Sequence, residues 1–409
     1  MKINGVYEVE ISDISYSNFS ICKINNFVIF VNSTLPGDIV KIMITNIKKN
    51  FAYAIPIEFI KNSPFKIKSL CSSFNNGCGG CSWLNAEYKY QLLWKKKIIN
   101  GHFKRIGKFE TKIDDTYGMT DPFYYRNKMT LHCDNNLIGF YKYESRDIVE
   151  VEKCFIQKKC NQDSFEKIKS IDYSKINTIK IRSNEKGETI LNIKTENKNA
   201  EKLKIEENYH GVIINDKLIN GSCYLMEKMN DINFMIPYNS FFQVNYLMSN
   251  AILNYILQEA GITNNDILLD LYCGVGFFSL ALSKLCKKVY GIDNDKNAII
   301  YAKKNALNNM INNTEFYKLN ARTALDKIND EKINVLLIDP PRSGCDKKVL
   351  YDIIKLKPEK IIYISCGSDT LARDAAFLLK SNYKIMKCRP FDMFPHTYHI
   401  ETVVILNKK

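Results

Sequence analysis

The stretch DILLDLYCGVGFFSLALS, Asp266 to Ser283, decides the fold class of this chain of 409 residues. An apolar run leads into a tight turn that contains Gly274 and Gly276, and a second apolar run with helical spacing follows. Glycines in such a turn let the backbone bend sharply and approach a ligand closely. The stretch is therefore expected to form a strand, a ligand-binding turn and a helix.

The rest of the chain after about residue 237 repeats this alternation. The runs KVYGIDN, VLLIDPPRSG and KIIYISCG are typical of buried strands, and NAIIYAKKNALNN and DTLARDAAFLLK are typical of helices. Alternating strands and helices predict a parallel, doubly wound sheet with helices on both faces. We therefore expect residues 237–409 to form a Rossmann-like domain, with the β-branched run HIETVVIL as an edge strand.

Two acidic residues accompany the glycine turn. Asp270 ends the first strand, and Asp293 ends the next one, where its carboxylate could accept hydrogen bonds from ribose hydroxyls. Ser279 stands where a dinucleotide-binding fingerprint has Gly or Ala. The arrangement resembles the cofactor loop of S-adenosylmethionine (AdoMet) methyltransferases, and a nicotinamide-binding Rossmann-like fold is the alternative.

Asp339 and Cys366 also end predicted strands, so they share the sheet edge with the glycine turn. Asp339 is followed by two prolines, and its carboxylate could hold a cofactor amine or a base edge, although a plain turn would have the same sequence. Arg342 stands where amino-methyltransferases carry an aromatic residue, which argues against stacking of a flipped adenine. A buried cysteine is usually inert, but this position favours a catalytic thiol.

A thiol beside a methyl donor indicates pyrimidine chemistry. The C5 carbon of uracil is a poor nucleophile until a thiolate adds to C6 and turns the ring into an enolate. The C5 proton must then be removed by a general base. The segment FDMFPHTYHIE supplies His396, His399 and Glu401 as candidates, and the chemistry alone does not choose between a histidine and the glutamate.

Residues 1–56 contain short strand-like runs separated by polar or Gly/Pro turns, which predict a five-stranded OB-like barrel. The pattern resembles the TRAM domain, an RNA-binding barrel, although YSNFS replaces the usual glycine-rich turn. Residues 57–236 are expected to form a central α+β domain, with a helix in AEYKYQLLWKKKIINGHFKRIG. Tyr125, Arg126 and Lys128 could stack on a base and grip phosphate, or simply begin a strand.

A cluster of cysteines lies in the central part. Cys71, Cys78 and Cys81 fall within eleven residues, and Cys154 or Cys160 could supply a fourth thiolate. Four thiolates can hold either Zn²⁺ or an iron–sulfur cluster, and the spacing does not separate the two. Thirteen cysteines in a cytosolic protein are not expected to form a disulfide framework.

The chain carries a net charge of +14, which favours a polyanionic partner, nucleic acid first and an anionic membrane surface second. Codon bias toward Lys, Asn and Ile is the simpler explanation for part of this charge. The sequence shows neither an 18-residue apolar run nor a secretion signal, so we expect a cytoplasmic protein without a membrane span.

Four motifs in one order, DLYCGVG, IDPPRSG, YISCGSDTLARD and DMFPHTYHIET, resemble the bacterial RNA uracil-5-methyltransferases, and SFFQVN at residues 240–245 matches a further motif of that family. The resemblance implies that Cys366 is the nucleophile and Glu401 the base. It also implies a set of AdoMet-binding residues, namely Gln243, Tyr272, Gly274, Gly276, Asp293, Asn320 and Asp339. Phe277 departs from the asparagine of some members.

The resemblance also bears on the cysteines and on the substrate. The ribosomal-RNA branch of the family binds a [4Fe–4S] cluster through a similar motif, which implies Cys71, Cys78, Cys81 and Cys154 as ligands and leaves Cys160 outside. The TRAM pattern and these cysteines favour 23S ribosomal RNA over transfer RNA. A non-catalytic RNA-binding protein is the alternative from another class, and no protein partner is inferred.

Overall fold

The computed structural model describes residues 1–134, 137–169, 171–197, 205, 209–327 and 332–409. Across these residues the chain forms three large sheets and one separate hairpin. No helix in this part of the chain is long and apolar enough to cross a membrane.

The first sheet curls around its own apolar core and forms the N-terminal barrel. Its strands are β1 (Val6–Glu10), β2 (Asp13–Ile14), β3 (Phe19–Ile24), β4 (Phe27–Asn32), β5 (Ile39–Ile47) and β6 (Phe51–Lys61), in the order β1-β5-β6-β4-β3-β2. Alternate residues of β5 from Val40 to Ile44 are completely buried, as the period of a half-buried strand requires. The sheet has one more short strand than expected, and the boundary predicted at residue 56 falls inside β6.

The central part contains a seven-stranded sheet of order β13-β12-β11-β10-β7-β8-β9. Its elements are α1 (Ser72–Asn75), α2 (Tyr88–His102), β7 (Lys128–Asp134), β8 (Leu137–Tyr141), β9 (Ile148–Glu150), α3 (Lys159–Ile168), β10 (Ile176–Ser183), β11 (Thr189–Thr195), β12 (Gly211–Ile214) and β13 (Lys217–Gly221). The predicted basic helix is present as α2, which continues into a π-helical turn at Phe103–Gly107. One face of the sheet packs on α3 through Phe165 and Ile168.

A hairpin of β14 (Tyr224–Met229) and β15 (Ile232–Pro237) leads into the third sheet, of order β18-β17-β16-β19-β20-β22-β21. The elements that follow are α4 (Tyr246–Glu259), β16 (Ile267–Leu271), α5 (Phe277–Ser283), β17 (Lys288–Asp293), α6 (Lys296–Asn308), β18 (Thr314–Lys318), α7 (Ala321–Lys327), β19 (Val335–Ile338), α8 (Lys347–Leu356), β20 (Lys360–Ser365), α9 (Ser368–Leu379), β21 (Tyr383–Phe391) and β22 (Glu401–Lys408). Leu337 and Leu336 face opposite apolar layers, which confirms the doubly wound arrangement.

The expectation that HIETVVIL forms an edge strand is wrong. β22 lies between β20 and β21 and pairs antiparallel with both. Residues Glu401 to Leu406 are all buried, so both faces of the strand are covered. A continuous apolar run is typical of such a central strand, whereas an edge strand tolerates alternation with polar residues.

A buried ion pair joins α2 to the segment between β21 and β22. Lys95 and Asp392 bind each other with both side chains inaccessible to solvent. Lys95 also donates to the carbonyl oxygen of Phe394 at 3.2 Å. The neighbouring pair Lys96–Asp115 is open to water, with Asp115 90% exposed. Helix α2 thus carries a buried and an exposed lysine ion pair at adjacent positions, and their contributions to stability can be compared directly.

We expect Lys95→Met to lower the free energy of unfolding by about 3–5 kcal/mol, because Asp392 would be left buried without a countercharge. Lys96→Met, the control, should change it by less than about 0.5 kcal/mol, since exposed pairs contribute little. Urea denaturation followed by tryptophan fluorescence measures both. An equal loss of unfolding free energy in the two variants would show that the buried pair stabilises the fold no more than the exposed one.

Candidate cofactor and catalytic site

The carboxyl ends of four neighbouring strands form the candidate site. The strands β16, β17, β19 and β20 are parallel and in register, so their carboxyl ends meet at one edge of the sheet. Asp293 is the last residue of β17, and Tyr272, Asp339 and Cys366 directly follow β16, β19 and β20. Ligands of doubly wound sheets bind outside this edge.

The glycine turn has the backbone that its sequence predicts. Gly274 and Gly276 have φ angles of 55° and 88°, in the left-handed region that favours glycine. A side chain at Gly274 would meet no atom within 4 Å, so open space adjoins the turn. Tyr272 has a left-handed φ of 72°, and its amide donates to Ile292 at 2.8 Å. The turn thus leaves its backbone at Gly274 open to the approach of a ligand.

Both carboxylate oxygens of Asp293 accept backbone hydrogen bonds, one of them from the glycine turn. One accepts the Gly274 amide at 2.9 Å and the other accepts the Asp295 amide at 2.8 Å. Each oxygen keeps a further lone pair for a hydroxyl donor. The geometry therefore fits the role that the sequence suggests, acceptance of hydrogen bonds from a ribose.

Asp270 has a different environment from Asp293. It is 1% exposed, and one of its oxygens accepts the Ser279 hydroxyl of α5 at 2.6 Å. Burial raises its pKa to about 8, against the effect of Ser279. Asp270 therefore holds the turn against helix α5. The substitution of Ser279 for a fingerprint Gly or Ala supplies the donor, a link that sequence reasoning missed.

Gln243 and Asn320 lie on segments beside the sheet edge. Gln243 is half-buried, and its carbonyl oxygen accepts the Asn127 side-chain amide at 3.1 Å. The Asn320 side-chain oxygen accepts the Arg322 amide at 3.0 Å at the start of α7. The oxygen keeps a second lone pair and the side-chain amide group can still donate, so either could contact a ligand. Both residues stay predictions as cofactor contacts.

Cys366, Glu401 and Asp339 interact electrostatically with one another at the centre of the edge. Burial raises the pKa of the Cys366 thiol to about 12, with further increases from Glu401 and Asp339. Burial also raises the pKa of Glu401 well above its usual range, and that of Asp339 to about 7. Glu401 is 5% exposed, and one of its oxygens has no hydrogen-bond partner among the described residues.

Arg342 is the cation that faces this group. It lowers the pKa of both Cys366 and Glu401, opposing the effect of burial. Its guanidinium lies 3.5 Å from the His399 ring nitrogen Nε2. The carbonyl oxygen of Arg342 accepts the Thr370 hydroxyl at 3.1 Å, which fixes its loop on α9. Arg342 is exposed, so it can also meet an anionic substrate.

The two histidine candidates for the base are poorly suited to that role. His396 is held by Gln91, whose side-chain oxygen accepts the His396 amide at 3.0 Å, and by stacking on Phe123. Burial lowers the pKa of His396 to about 4 and that of His399 to about 3, the latter helped by Arg342. An imidazole with so low a pKa is a weak base at neutral pH, whereas the raised pKa of Glu401 strengthens a carboxylate as a base.

Tyr125 does not offer a surface for base stacking. It is buried, and its hydroxyl donates to the Pro395 carbonyl at 3.1 Å. Of the two alternatives left open by the sequence, base stacking by Tyr125 does not fit the structure, because apolar neighbours enclose its ring. Arg126 and Lys128 do not lie on an open strand face. They line a cavity that the clustered cysteines also line.

The four predicted cysteine ligands line this cavity of about 160 Å³. Each of the six pairs among Cys71, Cys78, Cys81 and Cys154 interacts electrostatically, and burial raises the pKa of Cys81 well above its usual range. Cys160, at the start of α3, does not line the cavity. A metal site is not confirmed, because the described residues include no group of three or more His, Cys, Asp or Glu that could hold a metal ion.

Comparisons with known proteins assign the class. The family model for tRNA (Uracil-5-)-methyltransferase matches residues 211–409, and the TRAM domain model matches residues 2–57. A relative described as an uncharacterized RNA methyltransferase of Clostridium acetobutylicum is 34% identical, with 100% of this chain and 98% of the relative covered. One from Bacillus cereus is 32% identical, with 99% and 97% covered.

A solved structure shows the same fold. The tRNA (uracil-54, C5)-methyltransferase of Pyrococcus abyssi, in complex with S-adenosyl-L-homocysteine, has a TM-score of 0.77 at 24% identity, and the match covers 98% of this chain and 100% of that one. The fold and the site thus define an AdoMet-dependent RNA methyltransferase. The chain belongs to the RNA uracil-5-methyltransferase family.

We expect Glu401→Gln to raise the melting temperature by several degrees at pH 8 and by less as the pH falls toward 5. A carboxyl whose folded pKa is raised destabilises the folded state above its unfolded pKa, because folding must bind a proton or bury a charge. Differential scanning fluorimetry at both pH values measures the gain. Asp115→Asn is the control, since the pKa of Asp115 is lowered by Lys96 and its loss should bring no gain.

Proposed function

We propose that this protein methylates C5 of a uridine in 23S ribosomal RNA through a covalent bond between Cys366 and C6 of the base. The observation that carries the proposal is the grouping of Cys366, Glu401 and Asp339 at the strand edge beside the glycine turn. A nucleophile, a base of raised pKa and a cofactor loop are the parts that this reaction requires.

Bound AdoMet supplies the methyl group to C5. Cys366 loses its proton to solvent and forms the Sγ–C6 bond, a step helped by Arg342, which lowers the pKa of the thiol. Glu401 as carboxylate then takes the C5 proton, and the Sγ–C6 bond breaks to release the thiolate. Both groups must be deprotonated first, so the buried site disfavours reaction until the substrate is in place.

The choice of 23S ribosomal RNA rests on the resemblance to the ribosomal-RNA branch, which has a TRAM domain and the four cysteines. The Pyrococcus abyssi enzyme of the same fold is by its name a tRNA methyltransferase. Transfer RNA is therefore the competing substrate. In either RNA the target base must be unstacked to reach Cys366, which favours a loop or bulge.

We also propose that the four cysteines hold a [4Fe–4S] cluster. One Zn²⁺ would also take four thiolates, each about 2.3 Å from the ion, so the choice of the cluster rests on the resemblance to the ribosomal-RNA branch. A larger cluster suits the cavity between the thiols. When bound, the cluster would link four chain positions. Methyl transfer itself needs no electron transfer, so the cluster's part is structural or in placing the RNA.

We expect labelled methyl from AdoMet to appear at C5 of uridine in 23S ribosomal RNA. Cys366→Ala should abolish both transfer and the covalent RNA adduct, because no thiolate is left to add to C6. Glu401→Gln should accumulate the adduct, since the C5 proton cannot leave. Scintillation counting and denaturing gels measure the two outcomes.

Ribosomal RNA and transfer RNA from a strain that lacks this gene are tested in parallel as substrates. If label appeared in transfer RNA alone, transfer RNA would be the substrate instead of 23S ribosomal RNA. If Cys366→Ala still methylated RNA, Cys366 would not be the nucleophile. Cys388→Ala is the matched control, because Cys388 is a buried cysteine within β21, paired with Val404, and does not follow one of the four parallel strands; this variant should keep its activity.

For the cysteines, we expect anaerobically purified protein to contain about four iron and four sulfide per chain, with broad absorption near 400 nm. Cys154→Ser should lose both because a ligand is removed. Cys160→Ser, six residues away, should retain them. Stoichiometric zinc without iron in the anaerobic protein would rule the cluster out.

A further inference from the structure

A side chain of the N-terminal barrel reaches the candidate nucleophile. Tyr16 lies between β2 and β3, and its hydroxyl donates to the carbonyl oxygen of Cys366 at 2.8 Å. The two residues are 350 positions apart in the chain. The contact therefore joins the barrel directly to the catalytic part of the methyltransferase domain.

The Cys366 peptide needs such support because it lies just beyond the sheet. The β20–β22 ladder ends at the pair Ser365 and Thr402, and α9 begins at Ser368. Local hydrogen bonds fix the next residue, Gly367: its amide donates to the Ser365 hydroxyl at 3.1 Å, and its carbonyl oxygen accepts the Thr370 hydroxyl at 3.0 Å. Tyr16 fixes the carbonyl of Cys366 itself.

The Tyr16 ring is held on two further sides. Its centroid lies 5.3 Å from the centroid of the His102 ring and 6.0 Å from that of the Tyr398 ring, both in edge-to-face arrangement. The His102 ring nitrogen Nδ1 lies 2.9 Å from the Ser368 hydroxyl at the start of α9. Tyr398 precedes Glu401 by three residues. Tyr16 thus contacts both segments that carry the catalytic candidates.

The Tyr16 hydroxyl keeps its proton, and so remains a hydrogen-bond donor, at neutral and moderately alkaline pH. Burial raises the pKa of Tyr16 above its usual value, and Asp369, Cys366 and Glu401 raise it further, against the effect of Arg342. A phenol with a raised pKa keeps its proton at neutral and moderately alkaline pH. The hydrogen bond to the Cys366 carbonyl is therefore present throughout the range in which the enzyme would operate.

We propose that Tyr16 is a positioning residue for the covalent step, so that the barrel completes the active site as well as offering a surface to RNA. The inference rests on the proposed function. Addition to C6 requires Sγ to approach the face of the uracil ring, and a displacement of about 1 Å from such a geometry costs up to about 100-fold in rate. Tyr16 fixes the peptide from which the thiol projects.

Tyr16→Phe in the full-length protein removes one oxygen and keeps the ring contacts. The substrate is the RNA found for the wild-type enzyme, with 5-fluorouridine at the target position, because a C5 fluorine cannot leave as a proton and the adduct accumulates. With AdoMet in excess, the single-turnover rate of adduct formation should fall about tenfold. RNA affinity, measured by filter binding in a Cys366→Ala background, should stay within twofold.

Tyr7→Phe is the matched control, a tyrosine of β1 packed on the barrel core, and should leave the rate unchanged. Each rate is normalised to the final amount of adduct, which measures the fraction of folded, active enzyme. A loss of stability alone therefore does not lower the normalised rate. A Tyr16→Phe rate within threefold of wild type overturns the inference, and so does weaker RNA binding with an unchanged adduct rate. If wild-type enzyme forms no adduct with any RNA, the proposed function itself has failed.

Discussion

The ion pair of Lys95 and Asp392 fixes the segment on which the catalytic candidates depend. Both charges are removed from water, and each would be costly to bury alone. Around the pair, α2 also holds this segment through Gln91, and Asn245 donates to the Met393 carbonyl oxygen at 3.2 Å. This set of bonds stabilises His396 at a left-handed φ of 65°, a conformation that is uncommon for a residue other than glycine. Glu401 lies five residues further along the chain, where it begins β22.

The cysteine-bearing segments attach to the same structure. The amides of Ser82 and Trp83, just after Cys81, donate to the His396 carbonyl oxygen at 2.9 and 3.0 Å. On the other side, the Arg126 amide donates to the Ile156 carbonyl oxygen at 2.8 Å, and Arg126 also bridges to Asn245 beside Gln243. The backbone next to the thiols is thus bonded to the segment that leads to Glu401 and to the segment that carries Gln243. Under the proposed function, this connection would let a cluster without a redox task affect methyl transfer.

The sequence was sufficient to predict residues whose positions follow from their own strand or turn. Cys366, Asp339 and Asp293 each end a strand of a parallel sheet, and the edge follows from the alternation of strands and helices. Residues placed by tertiary contacts were not accessible in this way. Lys95 looked like one more charge on a basic helix, and Tyr16 looked like part of an irregular turn, because their partners lie about 300 residues or more away. The position of β22 was open to prediction, since its uninterrupted apolar run indicates a strand covered on both faces.

The electrostatics of the sheet edge connect stability with function. Desolvation raises the pKa values of Asp270, Asp339 and Glu401, and Arg342 opposes this effect at Glu401. Such a group destabilises the folded chain at neutral pH, since a buried charge or an extra proton must be accommodated. The same acids favour a ligand that carries positive charge, and AdoMet has a cationic sulfonium. A cationic donor beside these carboxyls would favour their ionised forms. Under the proposed mechanism, the arrangement that weakens the empty protein would then leave Glu401 ionised and able to accept a proton once the donor is bound.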